Sequence, residues 1–156
     1  MLVRKNIKII KKLLVILILS IIIGCSGSEN KMTEDELKSY GITNDQLVFY
    51  KLDYDDFIKV LETSNFNEIV FFVRSDCSYC HEMFKLLSEL SKEKILIQNF
   101  YLVDSMNMTL EQKEDAYDKF GITSVPSILK FKNSNLKSID VGSFNQKYLY
   151  DILKEK

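Results

Sequence analysis

Within "SDCSYCHEMF", residues 75–84, three side chains of reactive type fall together. Cys77 and Cys80 are separated by Ser78 and Tyr79, and His81, the single histidine of the chain, follows at once. Three chemistries share this spacing: a dithiol that cycles with a disulfide, a C-x-x-C-H attachment point for c-type haem, and half of a metal site. A haem would need a second axial ligand, which only one of the five methionines could supply, since no second histidine exists. A zinc site on Cys77, Cys80 and His81 lacks a ready fourth ligand. Adjacent residues 80 and 81 would also be hard to aim at one metal from a helix. The dithiol asks least of the rest of the chain.

Such a pair needs elements that place one sulfur at the surface and one behind it. "EIVFFV" (68–73) is a continuous β-branched and aromatic run, predicting a strand buried on both faces. It leads directly into "RSDCSYC". From Cys80 onward Met83, Phe84, Leu87 and Leu90 repeat at helical spacing, so a helix with one apolar face begins at or near Cys77. Unpaired backbone N–H groups at a helix start favour an anion, here a thiolate at Cys77. Thiolate is the attacking species in disulfide exchange. Cys80 lies one turn further in, placed to resolve the mixed disulfide. A lone helical histidine is as readily a surface residue as a functional one. His81, however, is at i+4 from Cys77, where an imidazolium would further favour the thiolate.

The remaining pattern alternates. "LVFYKL" (47–52) predicts a strand, and 53–64 a helix with acids at its start. Residues 94–104 predict a strand, and 109–121 a helix opened by a Thr109–Gln112 capping box and closed at Gly121. Strands at 125–131 and 136–142 flank the turn "KNSN", and 145–156 close as an amphipathic helix. The early alternation requires parallel strands joined by helical crossovers, and the late pair is a hairpin, giving an α/β fold with a mixed sheet covered on both faces.

The first 24 residues carry five basic side chains and no acid, which leaves 16 Lys and Arg against 22 Asp and Glu in the rest. An acidic body excludes the basic patch that nucleic acid requires. Leu13–Ile23 is an apolar run of eleven residues, about 17 Å as a helix, short of the ~30 Å bilayer core and fitting a signal-peptide core. It ends in "IIGC", which resembles the lipobox of bacterial lipoproteins. That resemblance implies cleavage before Cys25 and a diacylglycerol on its sulfur, with two acyl chains sufficing for anchoring. The expected organisation is therefore a signal peptide over 1–24, lipidated Cys25 with a tether over 25–45, and one domain over 46–156. Within the tether, Thr33 and Glu36 have capping-box spacing and Gly41 could end a short helix. The chain would be extracytoplasmic, where dithiol chemistry is at home.

"FGITSVPSILKFKNSNLKSIDVG" (120–142) resembles the C-terminal half of thioredoxin, and the strand–C-x-x-C–helix unit resembles the same family upstream. The similarity spans about residues 47–154. It implies a thioredoxin-like three-layer sandwich with a central mixed β-sheet, Cys77 as nucleophile and Cys80 as resolving thiol. It implies a cis Val125–Pro126 bond packed on the dithiol, with Val125, Pro126, Ser78 and Tyr79 docking the substrate. Two positions depart from the family: Asp76 replaces the tryptophan before the first cysteine, and Phe71 replaces a buried acid that relays the second thiol's proton. Proton transfer to or from Cys80 would then use water or another group, for which Glu82 and His81 are candidates.

The resemblance implies a thiol–disulfide oxidoreductase without a cofactor or metal, working in either direction. Its partners would be extracytoplasmic proteins bearing disulfides or dithiols, and an electron donor or acceptor in or outside the membrane. The alternative function is a non-catalytic thioredoxin-like binding module, or an accessory to a secreted partner.

Overall fold

A computed structural model describes residues 30–43, 47–93 and 99–154. Its centre is a six-stranded sheet: β1 (Asn30–Lys31), β2 (Val48–Leu52), β3 (Ile69–Val73), β4 (Asn99–Asp104), β5 (Ser127–Lys132) and β6 (Asn135–Val141). Five helices pack on it: α1 (Glu34–Ser39), α2 (Tyr54–Thr63), α3 (Ser78–Glu93), α4 (Leu110–Phe120) and α5 (Gln146–Lys154). Strand order is β1-β2-β4-β3-β5-β6. β2, β4 and β3 run parallel, while β1, β5 and β6 run antiparallel to their neighbours. This is the expected mixed sheet. Residues 94–98, read as the start of the third predicted strand, lie outside the described residues, as do 1–29 and with them Cys25.

Strand periodicity divides the core into two layers. On β3, Ile69, Phe71 and Val73 face one cluster with α3 and α5, whereas Val70 and Phe72 face the other with α2 and α4. β4 divides the same way, Phe100 and Leu102 against Tyr101 and Val103. All five β3 residues are buried, which is why this strand reads as a continuous apolar run. Phe71 packs against Phe49, Phe84 and Phe100 at centroid distances of 5.5–5.7 Å. The position that lacks an acid is thus filled by an aromatic knot.

Local chemistry sets the ends of the elements. Thr33 and Thr109 each cap a helix in a complete capping box, with Glu36 and Gln112, satisfying two free N–H groups apiece. Gly121 ends α4 at φ +73°, a left-handed conformation that costs glycine nothing. The β5–β6 hairpin turns through Asn133 and Ser134, both at positive φ, as a two-residue turn matched to the strand twist requires.

The N-terminal boundary differs from the expectation. Residues 30–43, assigned to a tether, are packed on the domain. Met32, Tyr40 and Ile42 are buried in the same cluster as α3, β1 pairs with β2, and the Met32 N–H donates to Phe49 O at 2.9 Å. Three apolar residues scattered among polar ones carry too little periodicity to announce this. No helix among the described residues is long and apolar enough to cross a membrane.

Candidate functional site

β3 ends at Val73 and the chain turns through Arg74–Cys77, closed by the Cys77 N–H donating to Arg74 O at 3.3 Å. α3 starts one residue later, at Ser78. Cys77 therefore stands as the capping residue: its carbonyl accepts from the His81 N–H at 3.1 Å, and its sulfur accepts from the Cys80 N–H at 3.3 Å. A sulfur here does what a serine or aspartate oxygen does at an N-cap, and the bond strengthens when the sulfur is anionic. Cys77 is part-exposed and Cys80 is fully buried, both as free thiols. One sulfur can meet a substrate and the other waits beneath it.

The Val125–Pro126 peptide is cis, as the resemblance implied. It brings the Val125 carbonyl to 3.9 Å from the Cys77 thiol, which donates to it. Pro126 is buried and Val125 half-buried. Pro126 O accepts from the Gly142 N–H at 3.0 Å, tying this loop to the end of β6. Of the expected docking residues, Ser78 is exposed and Tyr79 is 60% exposed. Sequence placed Cys77, Cys80, Val125 and Pro126 in one site, and the structure brings them together.

Burial, the largest influence, and then the hydrogen bond with Cys77 push the Cys80 thiol up to about 12. The Arg74 backbone opposes this, while the charge of Asp104 adds to it. Asp104 was not found from the sequence. It closes β4 opposite Val73 and is buried. Its carboxylate accepts from the Tyr40 hydroxyl at 2.6 Å and from the Met106 N–H at 2.9 Å. The only local sequence signal was a short acid at a strand end followed by a turn, the ordinary sign of a cap. The partner 64 residues earlier is invisible at that level.

His81 does something other than sit against Cys77. Its Nε2 lies 2.8 Å from Ser75 O; a carbonyl only accepts, so Nε2 carries a proton and donates. The ring braces the turn that holds Cys77. Gly41 packs near the base of this residue, since a Cβ at residue 41 would lie 3.6 Å from both the His81 Cβ and its carbonyl oxygen. Asp76, where the family has tryptophan, is in a bidentate pair with Arg74, at 2.9 and 2.6 Å. That pair holds the Asp76 carboxyl below the usual range and offsets its charge beside the nucleophile. Glu82 is exposed on α3. Among the described residues, no three His, Cys, Asp or Glu side chains are grouped to hold a metal ion.

The family model described as TraF, F plasmid transfer operon protein, matches residues 45–149. A thioredoxin of Rickettsia typhi is 30% identical over 93 residues, covering 60% of this chain and 83% of that protein. Among solved structures, oxidized thioredoxin O1 of Arabidopsis thaliana superposes with a TM-score of 0.51 at 21% identity, covering 69% of this chain and 96% of the other. Oxidized thioredoxin O2 of the same plant gives 0.54 at 20% identity, covering 72% and 97%. These two likenesses bear on the fold.

Proposed function

Because the chain belongs to the TraF family of thioredoxin-like proteins, we propose that it exchanges disulfides with protein substrates through Cys77 and Cys80. The observation that carries this is the placement of the Cys77 sulfur. It caps α3, receives the Cys80 N–H at 3.3 Å and faces the Val125 carbonyl at 3.9 Å. The Cys77 thiolate attacks one sulfur of a substrate disulfide. The new S–S bond forms as the old one breaks, and the departing sulfur takes up a proton. Cys80 then loses its proton and attacks Cys77, releasing the second substrate thiol. Two electrons pass to the substrate, and the chain is left as a Cys77–Cys80 disulfide. A dithiol substrate runs the same steps backwards. Val125, Pro126, Ser78 and Tyr79 form the docking edge around the nucleophile, and His81 holds the turn.

The proposed place of action is outside the cytoplasm, anchored through Cys25. The basic first residues, the apolar run Leu13–Ile23 and "IIGC" support this reading. Its partners would then be extracytoplasmic proteins with exposed disulfides or dithiols, and a membrane or extracytoplasmic donor or acceptor of electrons. A Cys80→Ser variant, which cannot resolve, should accumulate mixed disulfides with its substrates in cells. Purified wild-type protein should reduce insulin or oxidise a dithiol peptide. A wild-type protein inert in both assays would leave the non-catalytic binding module as the better reading. Cys25→Ala should abolish incorporation of a fatty-acid label; unchanged labelling would refute the anchor.

A further inference from the structure

Four of the five methionines fall among the described residues, and they are not equivalent. Met32, Met83 and Met108 are 4%, 1% and 8% exposed, whereas Met106 is 49% exposed. Met106 sits in the short 3-10 turn Ser105–Asn107 that follows β4. Its N–H is fixed by Asp104 at 2.9 Å, and its sulfur accepts from the Ser75 hydroxyl at 3.6 Å. Ser75 is two residues before Cys77, and its carbonyl is the one that His81 holds. The single thioether among the described residues that solvent can reach therefore touches the turn carrying the nucleophile.

We propose that Met106 is an oxidant-modifiable site that governs docking of protein substrates at Cys77, with peroxides as the oxidant class. This rests on the oxidoreductase reading above. In the step itself the thioether sulfur attacks the terminal peroxide oxygen. An S–O bond forms, the O–O bond breaks, sulfur gives up two electrons, and the other oxygen leaves as water after taking the proton. A flexible apolar side chain becomes a polar one. The sulfoxide oxygen is a stronger acceptor than a thioether sulfur, so Ser75 donates to it more strongly. Apolar surface beside Cys77 is lost to any protein segment docking there. A small disulfide, which needs no docking surface, is unaffected.

The test uses the full chain as its Cys25→Ala variant, with Cys77 and Cys80 first closed as a disulfide, so that peroxide finds no thiol. After limited hydrogen peroxide, peptide mapping should find the added oxygen on Met106 before Met32, Met83 or Met108. After reduction of the disulfide, KM for a protein disulfide should rise about fivefold, the scale of losing part of one methionine's burial. The rate with a small aromatic disulfide should stay unchanged. Met106→Leu, compared only with itself before and after peroxide, should show no rise. Even oxidation across all four methionines, or an unchanged KM with Met106 fully converted, would overturn the proposal. The two readings fail separately. Unoxidised protein that exchanges no disulfide refutes the oxidoreductase reading and this one with it, while exchange indifferent to Met106 oxidation refutes this one alone.

Discussion

Raising the pH should steeply accelerate the second half of the exchange, the attack of Cys80 on Cys77. Cys80 must be a thiolate to attack Cys77, and its thiol is pushed up to about 12, burial being the largest cause. At that value about one Cys80 in 100,000 is ionised at pH 7, and each pH unit raises the fraction tenfold. In the mixed disulfide Cys77 has no thiol, so its share of the effect disappears. Burial and the charge of Asp104 remain, and both push the Cys80 thiol up. A symmetrical aromatic disulfide with a coloured leaving group reports both steps: one equivalent appears as Cys77 attacks and a second as Cys80 resolves. The second rate should climb about tenfold per pH unit from pH 7 through at least pH 9, and Cys80→Ser should release one equivalent only. A second step that levels off below about pH 8.5, the range of a free thiol, would refute the assignment of Cys80 as a buried, reluctant acid.

Other substitutions bear on neighbouring parts of the site. Asp104→Asn removes a negative charge that opposes Cys80 ionisation, so resolution should be faster at pH 7 in the same two-step assay; a slower second step would contradict this account. His81→Ala frees the Ser75 carbonyl and should slow alkylation of Cys77 about two- to tenfold, the worth of one hydrogen bond, with His81→Gln recovering part of it. Phe84→Ala, emptying a fully buried site against Tyr40, Phe49 and Phe71, should cost about 3–5 kcal/mol in urea unfolding. The folded Cys80 thiol lies above its ordinary 9.0, so the reduced protein holds its proton longer than the unfolded chain does. That contribution is fully present below pH 9 and is lost as pH rises toward 12, up to about 4 kcal/mol. Denaturation across this range should show a larger loss in the reduced form than in the disulfide form, where the Tyr40 and Tyr54 hydroxyls, also pushed up chiefly by burial, still titrate but the thiol does not.

What the sequence revealed follows the range of the interaction concerned. The capping boxes at Thr33 and Thr109 act over three residues and stand in the sequence as they stand in the fold. β3 was plain because burial on both faces leaves no polar residue in it. The meeting of Cys77 with Val125 spans 48 residues and was legible only through the family's motifs. The Tyr40–Asp104 bond spans 64, has no motif, and was not foreseen. His81 could be placed on the Cys77 side of a helix by spacing, but a carbonyl partner six residues back depends on how the turn folds, which spacing does not encode. β1 is two residues long and has no periodicity to read.

Packing of residues 30–43 on the sheet has a mechanical consequence. Tension on the chain before Asn30 would be borne first by a two-residue ladder to β2 and by the Met32–Phe49 hydrogen bond. Next in the load path comes Tyr40, whose ring lies edge-on to Phe84 and whose hydroxyl is moored to Asp104. Met32, Tyr40 and Ile42 share a buried cluster with Cys80, so peeling that segment away would thin the cover over the buried thiol. A pull from the N-terminal side would thus reach the cover of Cys80 through this short segment before it loaded the central strands.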